Sequence, residues 1–424
     1  MPSAPHAVVL AAGEGRRLGA RMPKVLVPLW GRPSVLWPID AALAVGAAEV
    51  VVVGGEQLPA LKAAVGVRPH LSYVQQERPL GTGHALLAAR PRLPAGRQET
   101  ILVLYGDCPT TTPALLGALL AEHARTGAGI TLVSTELAQP RGYGRVVRAP
   151  DGSVERIVEE RDADEAERRL GEINSGVWAL RADLLGELEH LGRANAQGEI
   201  YLTDLVAVAR GRGLAVGALK WPDPQECLGF NDQAELAKVR AVLRRRILQA
   251  HLAAGVEIVD PDTTFIDAGV EIAPGARILP CTIIEGECRI AAGCEVGPFA
   301  RLRHGSVLQE GAEVGNFTET KQTVLGAHAK AKHLSYLGDA VIGARANIGA
   351  GTITANYDGR AKPPTQIGER AFVGSGTVLV APASVGDGAT TGAGAVVRRN
   401  SEIPAGETWV GVPARPLRRP GAQP

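Results

Sequence analysis

The stretch Ile266–Leu308 reads IDAGVE IAPGAR ILPCTI IEGECR IAAGCE VGPFAR LRHGSV L when broken every six residues. Each block opens on an aliphatic side chain: Ile266, Ile272, Ile278, Ile284, Ile290, Val296, Leu302 and Leu308, with Val314 next in phase. A helix repeats near 3.6 residues and a strand every 2, so neither yields this period. It suits a coil of triangular section, in which each six-residue side supplies one short strand and one corner, and its apolar residue points inward to stack on the equivalent residue one coil away. The residue two before the apolar position is usually small, as at Thr264, Ala276, Thr282, Cys288, Cys294, Ala300 and Ser306, and crowded corners explain that. Cys288 and Cys294 occupy this slot and read as packing residues rather than nucleophiles. Gly275, Gly293, Gly343 and Gly349 suit the turns. After Val314 the period is expected to pass over a four-residue insertion, resume at Val324 and include Tyr336, Ile342, Ile348 and Thr354. After a second break it runs from Ile367 through Val373, Leu379, Val385, Thr391 and Val397 to Ile403. The expected fold of this part is a left-handed parallel β-helix of hexapeptide repeats.

The first half is organised differently. Ala7–Leu10, Val50–Val53, Thr100–Tyr105 and Ile130–Ser134 are short apolar runs separated by helix-length segments, the pattern of an α/β domain with a mostly parallel, Rossmann-like sheet. Between the halves, Gln233–Leu252 is rich in Ala, Leu and Arg without Gly or Pro, and predicts one helix. The expected organisation is therefore an α/β domain over 1–232, a linker helix over 233–254 and the β-helix over 255–424.

Composition bounds what such a chain does. The 45 Lys and Arg nearly balance 44 Asp and Glu, so no global field recruits nucleic acid or an anionic membrane. No segment approaches the ~20 apolar residues that span a bilayer, and the first twelve residues lack a charged leader, so no membrane insertion and a cytoplasmic location are expected. Five cysteines without a CxxC pair argue against a disulfide framework or a zinc site and read as reduced thiols.

Candidate chemistry in the first half starts where the strand Ala7–Leu10 runs into Ala11-Ala12-Gly13-Glu14-Gly15-Arg16-Arg17-Leu18, followed by Pro23-Lys24. A glycine-rich turn after a first strand exposes backbone N–H groups that cradle phosphates, and Arg17 and Lys24 add positive charge. Neither a GK[ST] loop nor a GxGxxG spacing is present, so the loop is of another kind. The strand Ile101–Leu104 ends in Tyr105-Gly106-Asp107, which puts a carboxylate at the carboxyl edge of the sheet, where α/β proteins bind ligands. A hard cation such as Mg²⁺ suits that position.

With Gln76, Leu80-Gly81-Thr82-Gly83-His84, Gly142-Tyr143-Gly144-Arg145, Ile157-Val158-Glu159, Ile173-Asn174-Ser175-Gly176 and Gly229-Phe230-Asn231-Asp232, these motifs resemble the sugar-1-phosphate nucleotidyltransferases. The resemblance is strongest to the family of bifunctional N-acetylglucosamine-1-phosphate uridylyltransferases and glucosamine-1-phosphate N-acetyltransferases, and it covers nearly the whole chain. It implies that Leu10, Ala11, Ala12, Gly13, Gln76, Gly81 and Thr82 hold the uracil and phosphates of UTP. Gly144, Glu159 and Asn174 would hold N-acetylglucosamine, with Tyr105 and Gly106 also at the site. Asp107 and Asn231 would bind Mg²⁺, while Arg17 and Lys24 act catalytically on the phosphates. The stretch Asn195-Ala196-Gln197-Gly198-Glu199 also looks like the family and is given no ligand role.

In the β-helix the breaks in period are the places to seek chemistry, because a regular coil needs none to fold. Near them lie Lys321, Lys332-His333, Tyr336 and Asn356-Tyr357. His333, with Glu319 not far off in sequence, has the ingredients of an imidazole base oriented by a carboxylate. Arg303 and Lys321 form a pair of cations suited to a sugar phosphate. The resemblance implies His333 as general base, Arg303, Lys321, Tyr336 and Asn347 as sugar-phosphate contacts, and Ala350, Asn356, Tyr357, Ser375 and Ala393 along acetyl-CoA. It also implies homotrimers with the acetyl-CoA sites between subunits.

The sequence departs from the family pattern at Arg16, where Thr is usual, and at His304, where Pro is common. No arginine stands near Val410-Gly411-Val412-Pro413 for the CoA phosphates, leaving Arg398, Arg399 or Arg415 to substitute. The β-helix is also shorter before Gly297. Alternatives are a hexose-1-phosphate nucleotidyltransferase with an inert assembly tail, and a scaffold that has lost catalysis. His333, Asn356 and Tyr357 together speak against the first, and the retained Lys24, Asp107 and Asn231 against the second.

Overall fold

In the computed structural model, residues 4–13 and 22–417 are described. The chain divides into two compact units, Met1–Val242 and Leu243–Pro424, and the division falls inside the expected connecting helix, which spans Gln233–Ala253.

The first unit is built on strands β1 (His6–Ala11), β2 (Glu49–Gly54), β3 (Leu71–Gln75), β4 (Thr100–Tyr105), β5 (Ile130–Glu136), β6 (Arg145–Arg148), β7 (Val154–Val158), β8 (Glu172–Arg181) and β9 (Val216–Lys220). Their main path is β9-β5-β8-β4-β1-β2-β3, with β6 pairing β8 and β7 pairing β6. All neighbours along the path are parallel except β8, which runs antiparallel between β4 and β5. Side chains alternate across the sheet: Val8, Leu10, Val51, Val53, Ile101 and Val103 pack into one core, and Ala7, Val9, Val50, Val52, Leu102 and Leu104 into another. Both faces are thus covered, which is why these strands read as continuous apolar runs rather than as alternating ones. Helices fill the crossovers. The longest of these, Pro113–Thr126, begins where the Thr112 hydroxyl accepts from Leu115 N–H at 3.1 Å and ends at Gly127, whose φ of 60° favours glycine.

The second unit is the expected β-helix. Strands of two to four residues stack into three parallel sheets, one for each side of the coil, and a short antiparallel hairpin (Thr408–Val410 with Arg415–Pro416) closes the end. Register puts like on like: Ile266 on Ile284 on Leu302, Ile272 on Ile290 on Leu308, and Ile278 on Val296 on Val314. The small residues before each apolar position do more than fit. The hydroxyls of Thr282, Ser306 and Thr377 donate to the carbonyls of Leu279, Arg303 and Gly374 at 2.8, 2.7 and 2.7 Å, satisfying corner groups that no strand reaches. Cys288 makes the same contact to Glu285 O at 3.1 Å, and burial pushes its thiol up to about 11, so it is inert packing.

The first interruption of the repeat differs from expectation. No four-residue insertion follows Val314. Thr320 continues the phase, and the buried positions then fall at Leu325, Ala331, Leu337, Ile342, Ile348 and Thr354, while Val324 and Tyr336 lie beside them, partly exposed. Two corners have each lost one residue, and Gln322 and Asp339 take left-handed φ values of 46° and 50° to close them without glycine. The second interruption is an insertion: thirteen positions separate Thr354 from Ile367 where six suffice elsewhere, and the chain leaves the coil between Ala355 and Thr365.

His123 of the Pro113–Thr126 helix is buried with its Nδ1 2.9 Å from the Thr131 hydroxyl, and burial lowers its pKa to about 4. Unfolded, it titrates near ~6.5, so the unfolded chain takes up a proton that the folded chain refuses. The contribution is intact above that pH and is lost as pH falls towards 4, by roughly 3 kcal/mol. Thermal unfolding at pH 7 and pH 4.5 is expected to show a smaller loss in His123→Gln than in the parent chain.

Candidate active sites

The first site is set by strand order. Strand β1 lies between β2 and β4, so successive crossovers leave in opposite directions and a crevice opens at the carboxyl ends of β1 and β4. Gly106 N–H donates to Leu10 O at 2.9 Å and ties the two ends together. A Cβ at Gly106 would stand 3.2–3.3 Å from Val25, Ala11 and Leu10, which accounts for the glycine there. The crevice is a cavity of about 600 Å³ whose lining includes Leu10, Ala12, Gly13, Lys24, Gln76, Gly81, Thr82, Tyr105, Asp107 and Asn231. Ala11 and Gly106 lie beneath it in the strand ends. Arg16 and Arg17 lie outside the described residues.

Lys24 is 6% exposed, and its ammonium donates to the Asp107 carboxylate and, at 2.9 Å, to the Asn231 amide oxygen. The Phe230 ring lies 5.4 Å from the same nitrogen. Two oxygen ligands from distant parts of the chain therefore converge on one point. Burial, with Asp107 adjacent, holds the Cys108 thiol well above its ordinary range, so it stays protonated. The Gln76 amide nitrogen donates to Gly81 O at 3.1 Å and lies 3.0 Å from His84 Nδ1. Burial, aided by Arg193, lowers the His84 pKa and favours the neutral ring, whose Nδ1 accepts from Gln76 in the Nε2–H tautomer. With its N–H groups so committed, Gln76 has its oxygen left to offer. Gly81 has φ +106°, and a Cβ there would lie 2.5 Å from Ile200 O. The loop is clasped from that side by Ile200 N–H to Leu80 O at 2.8 Å and Leu202 N–H to the Thr82 hydroxyl at 3.0 Å.

Gly144, Glu159 and Asn174 form a separate cluster. Both Glu159 carboxylate oxygens would stand 3.5 Å from a Cβ on Gly144, and Asn174 N–H donates to Gly144 O at 2.9 Å. Asn174 Oδ1 accepts from Trp178 Nε1 at 3.0 Å and Gly176 N–H at 3.1 Å, so that oxygen is spent on holding its own strand. Burial, reinforced by Asp162, Asp204 and Glu199, raises the Glu159 pKa despite the Thr203 hydroxyl at 3.3 Å. Burial, with Glu159 adding to it, raises the pKa of the Tyr105 hydroxyl, and Tyr105 itself lines the cavity.

Three polar lining residues were given no role by the sequence reading: Arg161, Gln197 and Glu199. The stretch that holds the last two is folded over the cavity by Asn195, whose Oδ1 accepts from Gln197 and Glu199 N–H, and by Asp162, which accepts from Ala196 N–H at 2.8 Å. An Asn two residues before Gln and four before Glu was the available signal, but Asp162, whose own turn draws this one inward, is remote in sequence.

The residues expected at the acetyl site fall on two corners of the β-helix. On one, His333, Ala350, Ser375 and Ala393 lie on successive coils: Gly351 N–H donates to His333 O, Gly376 N–H to Ala350 O and Gly394 N–H to Ser375 O. On the other, Arg303, Lys321 and Asp339 lie on successive coils, with Arg303 N–H on Thr320 O and Asp339 N–H on Lys321 O. Lys321 Nζ is 3.3 Å from the Asp339 carboxylate, to which Asn356 Nδ2 also donates. Tyr336 reaches this group from the intervening strand, since its hydroxyl and Asn356 Nδ2 would both crowd a Cβ on Gly338 at 2.6 Å. Asn347 points from a neighbouring sheet, and Tyr357 is exposed on the inserted loop. Glu319 does not orient His333. It pairs with Arg303 at 2.8 Å, one coil away on the same sheet, and the exposed His333 ring shows no hydrogen bond among the described residues. Arg399 is 3.0 Å from Asp358 and pins the inserted loop.

Comparison with known proteins decides the family. The chain matches the MobA-like NTP transferase domain over residues 7–200 and bacterial transferase hexapeptide repeats over 364–399. It is 41% identical to the bifunctional protein GlmU of Trichlorobacter lovleyi, with 93% of each chain covered. For the proteins of the same name from Pelobacter propionicus and Heliobacterium modesticaldum the identity is 42%, with 94% of each chain covered. The chain belongs to the bifunctional GlmU family. As a GlmU enzyme it is an acetyltransferase for glucosamine 1-phosphate and a uridylyltransferase that makes UDP-N-acetylglucosamine, acting on nucleotide and acyl-CoA substrates. The alternatives of an inert tail or a silent scaffold fall with that. Among the described residues no helix is long and apolar enough to cross a membrane.

The clasp on Gly81 is open to test in this GlmU chain. Gly81→Ala forces a Cβ into Ile200 O and a disfavoured φ, so uridylyl transfer should drop by at least about tenfold. Acetyl transfer by the same chain, assayed as thiol release, should be unchanged.

Proposed function

We propose that the β1/β4 cavity binds UTP with Mg²⁺ and the adjoining Gly144–Glu159–Asn174 cluster binds N-acetylglucosamine 1-phosphate. The observation that carries this is the convergence of Asp107 and Asn231 on Lys24 at the strand switch point. The two oxygen ligands fit a hard cation, which takes one or two protein carboxylates or carbonyls and fills its remaining positions with phosphate oxygens and water. Mg²⁺, when bound, supplies charge neutralisation for the phosphates. Lys24, released from Asp107, turns its ammonium to the phosphate chain, and Arg17 adds a second cation. The free oxygen of Gln76 matches the N3–H donor of uracil, and the backbone of Leu10–Gly13 lines the phosphates. A phosphate oxygen of the sugar substrate attacks the α-phosphorus as the bond to pyrophosphate breaks; positioning and fixed positive charge lower the barrier without a covalent intermediate.

For the second activity, His333 serves as the general base that takes the proton of the attacking glucosamine nitrogen as the acetyl group leaves the acetyl-CoA sulfur. Arg303 and Lys321, one coil apart and each held by a carboxylate, exchange those partners for the sugar phosphate. Ala350, Ser375, Ala393, Asn356 and Tyr357 line acetyl-CoA. One chain places His333 and Lys321 on different corners, which supports homotrimers whose acetyl sites close between subunits. The corner that carries His333 supports the same reading: Phe299 and Phe317 stack on it at 5.2 Å between ring centres, and these and Leu334 are 49%, 57% and 62% exposed. A cytoplasmic location suits substrates of this kind and five cysteines that form no disulfide.

Asp107→Ala should lower Mg²⁺-dependent pyrophosphate release by on the order of a thousandfold while sparing acetyl transfer, and His333→Ala should do the reverse. Loss of both activities in either variant would refute separate sites. Light scattering at assay concentration should give three times the chain mass, and a monomer that retains full acetyl transfer would refute the inter-subunit site.

A further inference from the structure

We infer that Arg145 is a positioning residue that sets sugar recognition at the uridylyl site, acting through Glu160; this rests on the reading that Gly144, Glu159 and Asn174 hold the sugar. Arg145 is 2% exposed, the most deeply buried cation among the described residues, and touches none of the proposed ligands. Its guanidinium donates to Tyr143 O and to Arg168 O at 3.4 Å, and lies 2.7 Å from the Glu160 carboxylate. Its Nε is buried without a partner.

Such an arrangement is a poor way to gain stability. Desolvating a guanidinium costs several kcal/mol, and a well-packed apolar side chain of similar volume is commonly as stable or more so. What this residue does is join three segments that adjoin the sugar groups, two through its guanidinium, at Tyr143 O and the Glu160 carboxylate, and the third through its backbone pairing with Ile173. Arg145 follows Gly144, Glu160 follows Glu159, and Arg145 pairs across β6 and β8 with Ile173, which precedes Asn174. On its other side Arg145 pairs with Val158 of β7. The pull of Arg145 on Glu160 leaves Glu159 on the far side, where its carboxylate lies against Gly144 and accepts from Thr203. The fork therefore fixes the spacing between Gly144 and Glu159, while the backbone ladder of the same residue holds Asn174 beside them. It does not reach the Lys24–Asp107–Asn231 group.

The experiment compares Arg145→Met, Arg145→Lys and Glu160→Gln in the full chain, with acetyl transfer by each variant as the folding control. The expected result is a KM for N-acetylglucosamine 1-phosphate raised on the order of ten- to a hundredfold, with the KM for UTP within about twofold of the parent. Discrimination against glucose 1-phosphate should narrow by a similar factor. Lys carries the charge but not the fork, so it should not rescue. Equal rises in both KM values, or unchanged sugar KM in Glu160→Gln, would overturn the inference. If Arg145→Met fails to fold, Glu160→Gln decides, because the Glu160 side chain is one-third exposed and Gln keeps its shape while removing the charge. Glu159→Gln separates the two readings: an unchanged sugar KM there refutes the sugar site itself, whereas a raised one with normal Arg145 and Glu160 variants refutes only the positioning role.

Discussion

Hydrogen bonds between one coil and the next are the constraint on which the second unit rests. Short strands have few neighbours along the chain, so their backbone groups pair with the coil one turn away, and residues seventeen or eighteen positions apart are forced into columns. Apolar columns fill the interior. The same pairing stacks the outward residues, so that Arg303 lies one coil from Lys321 and Lys321 one coil from Asp339. Chemistry is thus a by-product of register. Two corners that lose a residue keep the buried phase and bring Lys321 and Asp339 to tightened turns, and the inserted loop adds Asn356 and Tyr357 to the same edge.

The first unit applies the same parallel pairing to a different end. Side chains buried on both faces hold β1 and β4 in register, and their carboxyl ends, tied by Gly106 N–H to Leu10 O, are where the chain emerges with unpaired backbone and room for a ligand. Charge is then brought to that point from afar. Lys24, Asp107 and Asn231 lie on three separate loops, and their mutual neutralisation offsets much of the cost of burying an ammonium group. In the proposed function a metal-bound nucleotide would take the place of the lysine there. In the positioning role inferred for it, Arg145 would likewise be a buried cation kept for the geometry of its neighbours.

Sequence alone determined a good deal. The six-residue period specified the β-helix because one inward residue per side is the only way such a coil excludes water, and it passed through Cys288 and Cys294 without ambiguity. Apolar runs separated by helical segments specified the parallel sheet, and the glycine-rich turn after β1 marked one wall of the crevice. Of the cavity residues, Lys24 and Asp107 were legible from their places beside the first turn and at a strand end, whereas Gln76, Thr82 and Asn231 were implied only by resemblance to the family. Tertiary structure alone decided the rest, since it depends on which distant residues are neighbours. Val324 and Leu325 are equally apolar, so only the register of the coil above showed which one turns inward. Glu319 stands near His333 in sequence, yet strand pairing gives it to Arg303. Gln197 and Glu199 enter the cavity because Asp162, more than thirty residues earlier, holds their turn. A pattern along one chain reports periodicity and turn chemistry, which are local; it does not report pairing between segments, which the whole fold minimises at once.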